Sequence, residues 1–468
     1  MARTAAGLPA GKRLTDYLSL GVLTARFPID DVQEALLSTG RVSERERDLP
    51  AHVMVYYAIA LALYAEVSTR EVLRCLLEGA RWLGDPEAHA EPAGWSGISQ
   101  ARTRLGAEPL EALYRSRVAP VATATTPGAW YREWRIMSLD GTTLDVGDTA
   151  ANRAAFGAPA SARGANATGA FPQLRVVGLL ETGTHVLCAA QLGAYATGEV
   201  TLAADVVVGL TRAMLCVADR GFLGFDLWQR AAATGAQLVW RATSTLRLPV
   251  LEHYADGSYR SALRWNSHCR SADRTAIAVR VIEYTLDGAP DGDPTDRLVT
   301  PVLEPAPAPE LAAVYHERWD IKTAFDAFKT HRRGARRVLR SKTPALVHQE
   351  AWGFLLAHFA IRALMHEAAL GALPRARDPD SLSFVHAVRV IRRTLPHLAA
   401  IPPSGPAARP SHDPPRVARG GGAPAAGPGR PTWGQTQDEQ LPTSPTTAAA
   451  HHGACARNPP YLSEEYWG

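Results

Sequence analysis

The spacing of apolar residues changes near Trp134, and this change restricts the fold more than any other feature of the chain. Before Trp134, apolar residues recur three and four positions apart, as at Val32, Ala35 and Leu36, which is typical of amphipathic helices. After it, the apolar runs are short and rich in β-branched residues, a pattern typical of strands. The sequence therefore predicts an all-helical region over residues 1–130 and a sheet-containing region after it.

The helical region contains two expected helix starts. Ser68 is followed three residues later by Glu71, a pattern that marks a helix N-terminus. We expect helices over residues 13–83 and a further helix that begins at Ser99 and carries arginines on one side. An ordinary helical bundle and a DNA-binding domain both fit these features, and the sequence by itself favours the bundle.

Short strands and helices follow in a recognisable order after Trp134. A hairpin turn is expected at Glu181-Thr-Gly-Thr184. The expected elements are strands over 136–139, 174–180, 185–190 and 214–218 and helices over 198–212 and from Phe225. A hairpin-rich sheet followed by alternating helix and strand suits an α/β fold with a ribonuclease-H-like core over residues 131–400. Residues 242–303 are strand-rich and interrupt the alternation, so we expect a β insertion there.

The carboxy-terminal tail has a different composition. Of the 30 residues 402–431, 15 are Pro or Gly, so disorder is expected over residues 401–468. Gly434-Gln-Thr-Gln-Asp-Glu-Gln-Leu-Pro442, back-translated and read one nucleotide later, can encode Val-Lys-Arg-Lys-Met-Ser-Asn-Tyr-Pro. That peptide resembles the basic carboxy-terminal motif of the insertion-sequence-4 transposases, and the resemblance implies a frameshift between about residues 395 and 433.

Composition excludes several classes of protein. A chain of 468 residues with 46% hydrophobic content can bury a sizeable core. Apolar runs fall short of the roughly 18 residues of a membrane span, and the start lacks a signal-peptide pattern, so a cytoplasmic protein is expected. The five cysteines are dispersed, which argues against a disulfide framework and a zinc knuckle. A net charge of +4 is too small to indicate nucleic-acid binding by itself.

Two aspartates, Asp140 and Asp219, follow apolar runs that read as strands. A lone aspartate at a strand end is more often a turn or helix-cap residue than a catalytic one. Asp145 and Asp148 lie close to Asp140 in the sequence, and we expect them in a loop past the strand.

A second polar stretch begins at Tyr315. On a helix, Arg318 and Lys329 lie 3 and 14 positions after Tyr315, close to one face. The basic run that follows comprises Lys329, Arg332, Arg333, Arg336, Arg337, Arg340 and Lys342. Such a run is either a solvated face or a track for DNA phosphates, and nearby strand-end aspartates favour the track.

The stretch Tyr315-His-Glu-Arg318-Trp-Asp-Ile-Lys322-Thr-Ala-Phe-Asp-Ala-Phe-Lys329 resembles the Y-x2-R-x3-E-x6-K signature of the insertion-sequence-4 transposases. The resemblance covers roughly residues 12–400. Further matches, in the family's order, are Met137-Ser-Leu-Asp140-Gly-Thr-Thr-Leu, Leu215-Cys-Val-Ala-Asp219-Arg-Gly-Phe, Leu339-Arg-Ser-Lys-Thr-Pro, Gln349-Glu350 and the helix 383–393.

The resemblance implies a helical DNA-binding domain followed by a ribonuclease-H-like catalytic domain. It implies that Asp140 and Asp219 ligate Mg²⁺ or Mn²⁺ in a two-ion site and that Tyr315, Arg318 and Lys329 contact DNA phosphate. The expected partners are double-stranded DNA of transposon ends and target, bound by a homodimer, with nucleoid association and no membrane.

The chain departs from the family at one catalytic position. Lys322 stands where the family has the glutamate that completes the metal-binding triad. A protonated ammonium repels Mg²⁺ and offers no lone pair. Asp326 lies one turn further along a helix, about 6 Å away, and is a poor replacement. We therefore expect a transposase by descent that is impaired in this copy. The alternatives are a catalytically inactive DNA-binding protein at transposon ends and another ribonuclease-H-like nuclease.

Overall fold

The computed structural model describes most of the first 388 residues, which belong to one compact unit, Met1–Ile401. The described residues are 18–43, 49–64, 68–74, 76, 94–159, 170–264, 276–285, 295–302, 307–316, 325, 338–371, 378–379, 382–384 and 386–388. The predicted tail over residues 401–468 and its frameshift lie outside these ranges. The predicted domain boundaries stay predictions.

Within the described ranges, five helices with defined bounds and one further helical segment precede the sheet, as the apolar spacing predicts. The five helices are α1 (Leu18–Arg26), α2 (Ile29–Ser38), α3 (Ala51–Leu63), α4 (Trp95–Leu105) and α5 (Glu108–Arg117). A helical segment over 69–74 begins after Ser68, whose Oγ accepts a hydrogen bond from the Glu71 amide as expected for a cap. The helix predicted from Ser99 begins earlier, at Trp95, because Gly94 supplies the extended residue that precedes it.

The sheet-containing region holds ten strands in a single sheet. The strands are β1 (Trp130–Tyr131), β2 (Trp134–Asp145), β3 (Gln173–Glu181), β4 (Val186–Ala194), β5 (Met214–Ala218), β6 (Gln237–Arg241), β7 (Glu252–His253), β8 (Tyr259–Leu263), β9 (Ile277–Thr285) and β10 (Thr295–Thr300). Their spatial order is β4-β3-β2-β5-β6-β10-β9-β8-β7, and β1 pairs with β2.

Helices occupy the connections between these strands and the region after them. They are α6 (Ala150–Phe156), α7 (Glu199–Val206), α8 (Phe225–Ala232), α9 (Ala308–His316) and α10 (Pro344–Leu370). The predicted hairpin is confirmed, since β3 and β4 pair antiparallel across the turn at residues 182–185. The predicted helix over 198–212 is shorter, because a 3₁₀ turn over Val207–Gly209 ends α7.

The strand-rich insertion extends the central sheet. Strands β2, β5 and β6 run parallel to one another at its centre. Strand β10 then pairs antiparallel with β6, so β10, β9, β8 and β7 continue the sheet outward. The insertion is therefore continuous with the strands that carry Asp140 and precede Asp219.

The two faces of the central sheet carry separate cores, because successive side chains of a strand point to opposite faces. Met137, Cys216 and Trp240 belong to a core that also contains residues of α7 and α8. Ile136 and Val217 belong to the other core, which also contains residues of α9, among them Tyr315. The face covered by α9 is called the α9 face below.

The long helix α10 packs against the helical region. It has 27 residues, and its Gly353 lies where an added Cβ would come 2.5 Å from the carbonyl oxygen of Ala58 in α3. A real Cβ does not approach an oxygen so closely, so glycine allows α3 and α10 to touch backbone to backbone. All residues of α3 from Met54 to Leu63 are buried.

Among the described residues, no helix combines the length and the apolar character needed to cross a membrane. Cys188 and Cys216 carry free thiols. Burial raises the pKa of the Cys216 thiol to about 12, which makes it unreactive at neutral pH. The other three cysteines lie outside the described ranges.

Candidate functional site

Asp140 and Asp219 occupy equivalent positions on neighbouring strands. Strands β2 and β5 are parallel, and their register ends with Leu139 opposite Ala218. The next residue of each chain segment is the predicted metal-binding aspartate, so the two aspartates follow the same register step. Asp219 immediately follows β5, as predicted.

Both aspartates lie on the α9 face. In β2, Ile136 belongs to the core of that face, and Asp140 follows it by an even number of residues. In β5, Val217 belongs to the same core, and Asp219 is two residues further on. Gly141 has the opposite orientation, because a Cβ there would meet the Glu199 side chain of α7 at 2.8 Å. The sheet therefore brings the two carboxylates to one side.

Strand β2 extends beyond Asp140, which changes the expected position of Asp145 but not that of Asp148. Strand β2 does not end at Asp140 but continues to Asp145, because β3 stays paired with it to that point. The prediction that Asp145 lies in a loop is wrong: it is the last residue of β2, and its Oδ1 accepts a bond from Gln173 at 2.8 Å. Asp148 does lie past the strand, where it pairs with Arg153.

The carboxylate of each aspartate accepts a hydrogen bond from the backbone amide of the following residue. Asp140 Oδ1 accepts a bond from the Gly141 amide at 2.8 Å, and Asp219 Oδ1 accepts one from the Arg220 amide at 2.5 Å. Both residues are half-buried. Their carboxylates are thus oriented at the protein surface and are not enclosed in the core.

Arg241 is a site residue that the sequence analysis missed. It ends β6, whose parallel register with β5 places Ala218 opposite Trp240, so Arg241 lies one step on, beside Asp219. The Asp296 carboxylate of β10 forms an ion pair with its guanidinium. Burial alone would lower the pKa of Arg241, but Asp296, Tyr315 and Asp219 together raise it. A positive charge therefore lies beside Asp219, with β5 between it and the strand of Asp140.

Tyr315 lies close enough to Arg241 to interact with its charge. It is 4% exposed and packs in the core of the α9 face. The ring of the following residue, His316, meets Tyr284 edge to face at 5.9 Å. Burial, and then Asp296, raise the pKa of Tyr284. The predicted contact of Tyr315 with DNA phosphate stays a prediction, and in this conformation the side chain is enclosed by protein.

The rest of the signature stretch lies outside the described residues. This applies to Arg318, Lys322, Asp326 and Lys329 and to the basic residues Arg332, Arg333, Arg336 and Arg337. Phe325 is described and is buried, at 5% exposure.

The last two members of the basic run are described, and they differ. Lys342 is exposed. Arg340 is half-buried, and its Nη2 donates to the carbonyl oxygens of Leu61 at 3.2 Å and Tyr64 at 3.0 Å. Arg340 therefore binds the C-terminal end of α3, and its inclusion in a continuous phosphate track is wrong.

The donor set fits a hard divalent cation but is incomplete within the described residues. No group of three or more His, Cys, Asp or Glu side chains in that part of the chain could hold a metal ion. Two carboxylates on adjacent strands supply the oxygen ligands that Mg²⁺ and Mn²⁺ prefer. Mg²⁺ held by one or two carboxylates keeps several waters and takes further oxygens from substrate phosphates.

Two family models match consecutive parts of the chain. Residues 17–115 match the insertion element 4 transposase N-terminal model, and residues 133–360 match the transposase DDE domain model. The first match covers the helices that precede the sheet, and the second contains Asp140, Asp219 and Lys322. The ribonuclease-H-like class of the catalytic region, predicted from the order of its elements, agrees with the second match.

The chain is similar to proteins that are named as transposases. The transposase InsG for insertion sequence element IS4 of Escherichia coli K12 is 25% identical over 80% of this chain and 82% of its own length. The putative transposase InsZ of the same strain is 26% identical over 47% of this chain and 71% of its own length. A piggyBac transposase synaptic complex with hairpin DNA overlaps 80% of this chain and 79% of that one, with a TM-score of 0.41 and 10% identity.

The helical and DDE matches follow each other in one chain, and the relative InsG matches across both. Transposases with a DDE domain use divalent metal ions, which agrees with paired carboxylates on adjacent strands. The chain belongs to the insertion-sequence-4 family of DDE transposases.

Proposed function

We propose that this chain binds transposon-end DNA through its helical region and presents a phosphodiester to Asp140 and Asp219. The observation that carries the proposal is the register of β2 and β5, which brings both carboxylates to one face. The partners are double-stranded DNA of the element ends and of the target, bound by a homodimer in the nucleoid. The residues proposed to contact the DNA backbone are Tyr315, Arg318, Lys329, Arg332, Arg333, Arg336 and Arg337.

The chemistry follows from the side chains around the proposed metal ligands. Two Mg²⁺ or Mn²⁺ ions, when bound, supply charge that stabilises the attacking and leaving oxygens at phosphorus. Asp140 and Asp219 hold ligand oxygens in fixed positions, because local amide bonds orient both carboxylates. Arg241, held by Asp296, offers a cation to a DNA phosphate beside them. Lys322 replaces the glutamate of the family signature and removes one oxygen ligand.

From this substitution we infer that the chain binds element ends but does not cut them. An ammonium near two carboxylates competes with the cation for their charge and cannot ligate it. The alternative function, a catalytically inactive DNA-binding protein at transposon ends, is the state that this copy would occupy. Another ribonuclease-H-like nuclease would instead cut DNA without regard to the element ends.

Nicking of element-end DNA by Lys322→Glu protein tests the proposal. In Mg²⁺ or Mn²⁺ the unmodified chain should bind the end without nicking, and Lys322→Glu should nick it, because the change restores an oxygen ligand. A Lys322→Gln variant is the matched control, since it removes the positive charge without adding a carboxylate. Adding Asp140→Asn to Lys322→Glu should abolish the nick.

Equal nicking by the unmodified chain and Lys322→Glu would contradict the inferred loss of activity. Binding that does not distinguish element ends from unrelated DNA would contradict the proposed role at transposon ends.

A further inference from the structure

The 338–343 segment, which follows the signature stretch, contacts both strand β2 and helix α3. The Leu339 amide donates to the Asp145 carbonyl oxygen at 2.8 Å, and Leu339 forms a parallel bridge with Val146. Arg340 donates to carbonyl oxygens at the end of α3. A cation at the last carbonyls of a helix is favourable, because these groups lack partners within the helix.

Ser341 connects the segment to two more elements. Its Oγ accepts a bond from Arg102 Nη2 of α4 at 2.9 Å. Its carbonyl oxygen accepts a bond from Asn152 Nδ2 of α6 at 3.1 Å. Asn152 is fully buried, and the same Nδ2 donates to the Gly147 carbonyl oxygen just past β2. The segment is therefore bonded to α3, α4, α6 and the end of β2.

Glu350 of α10 closes this network. Its carboxylate accepts bonds from the Arg340 amide at 3.1 Å, the Ser341 amide at 3.0 Å and Ser341 Oγ at 2.6 Å. It is 3% exposed, and Arg102 is 7% exposed. The charge of Arg102 interacts favourably with the opposite charge of Glu350 and unfavourably with the like charge of Arg340. If a buried carboxylate and its arginines moved apart, each would be left with an uncompensated charge. The three side chains therefore favour one fixed arrangement.

We propose that the 338–343 segment is a joint that fixes the helical region relative to the strand carrying Asp140, with Arg102, Arg340 and Glu350 as positioning residues. Val146, to which the joint is bridged, lies only six positions after Asp140. The consequence for DNA rests on the proposed function. If the helical region grips the element end, the joint sets which phosphate of that end reaches Asp140.

Hydrogen exchange of the Leu339 amide tests the joint in the full-length chain without DNA. Arg340→Ala should accelerate this exchange at least about tenfold, the equivalent of breaking one buried polar contact. The matched control is Lys342→Ala, an exposed basic residue of the same segment, which should leave the rate unchanged. For α4, Arg102→Ala should act like Arg340→Ala, and the exposed Arg104→Ala should not. Ser341→Ala provides a milder change that keeps every charge, should Arg340→Ala fold poorly.

The position of the nick tests positioning as distinct from folding. In the Lys322→Glu background, Arg340→Ala should spread nicking over several neighbouring phosphates, and Arg340→Lys should restore most nicks to one phosphate. A purely structural role would lower the amount of active protein and leave the nick position unchanged, which would overturn the positioning role.

Unchanged exchange at Leu339 in both Arg340→Ala and Ser341→Ala would overturn the joint itself. This result is independent of DNA, so absence of end binding would count against the proposed function alone.

Discussion

The joint around Glu350 and the candidate site around Asp140 and Asp219 both combine carboxylates with arginine, yet they arrange these groups differently. Glu350 is 3% exposed and takes three bonds from the 338–343 segment, which holds distant elements together. Asp140 and Asp219 are half-buried and take bonds from the amides that follow them. The first arrangement encloses its carboxylate among distant elements, and the second keeps its carboxylates at the protein surface.

The largest effect on stability should come from the joint. Glu350→Ala should lower the free energy of unfolding by about 3–5 kcal/mol, because Arg102 and Arg340 lose the carboxylate near them. Denaturant unfolding at neutral pH measures the change. Glu367→Ala, in the same helix, is the control: its exposed pair with Arg26 should contribute at most about 1 kcal/mol. Similar losses in both variants would remove the distinction between the joint and an ordinary surface pair.

An exposed carboxylate of the insertion, Asp256, should show a smaller loss. It accepts bonds from Ser258 Oγ at 2.6 Å and from the Ala308 amide, at the start of α9, at 3.2 Å, and it pairs with the buried Arg280. Asp256→Asn should lower the free energy of unfolding by about 1 kcal/mol at pH 7, since an amide keeps the shape but not the charge, and solvent screens that charge. Glu252→Gln, an exposed residue of β7, is the control.

The effect of Asp256→Asn should depend on pH. Burial alone would raise the pKa of Asp256, but the Ser258 bonds, the Arg280 charge and the Ala308 amide outweigh it and hold the pKa below 3.8. A lowered pKa in the folded state contributes stability above the unfolded pKa, and that contribution is lost as the pH falls through the folded value. Unfolding curves of the two proteins should therefore converge below about pH 4. A difference that persists at pH 2 would show that the charge is not its cause.

In the candidate site, the expected effect is on DNA and not on folding. Arg241→Ala should weaken binding of element-end DNA by about threefold to tenfold and reduce the salt slope by about one, because one phosphate contact is lost. Arg230→Ala is the control, since Arg230 lies in α8 on the opposite face and is 51% exposed. Titrations at several salt concentrations measure both. An unchanged slope would place Arg241 in the fold and outside the DNA contact.

The smallest effect on stability should come from a substitution of Asp219. Asp219→Asn should change the free energy of unfolding by no more than about 0.5 kcal/mol, because the half-buried side chain stays in contact with solvent and the amide oxygen of Asn can still accept the Arg220 amide bond. Thermal unfolding of the two proteins at neutral pH measures it. A loss as large as that of Glu350→Ala would mean that Asp219 serves the fold, and the contrast between the two regions would fail.

Sequence reasoning worked best where the signal is local. The hairpin after Glu181 and the strand that precedes Asp219 follow from short apolar runs and turn residues, and both are confirmed. Asp145 was misplaced because β2 keeps its pairing with β3 beyond the point where its pairing with β5 ends. No local pattern distinguishes such a one-sided extension from a loop.

The functions of the arginines could not be predicted, because their partners are distant in the sequence. Arg340 lies in a basic run, and only the position of α3, some 280 residues earlier, shows that its side chain binds helix carbonyls. Arg102 reaches Gln349, 247 positions later. Arg241 lies beside Asp219 through the parallel register of β5 and β6, and it is the last residue of its strand, whereas Asp219 follows its strand. For Lys322, the sequence remains the source of the inference.

The contact between α3 and α10 also has a consequence for synthesis. Helix α3 is buried from Met54 to Leu63, and its backbone contact at Gly353 lies nearly 300 residues further along the chain. A ribosome adds about 5–20 residues each second, so α3 is made many seconds before the helix that covers it. During that interval the apolar side chains of α3 lack their final neighbour. The helical region therefore completes its core only after the DDE domain has been translated, and a prematurely ended chain would expose an aggregation-prone surface.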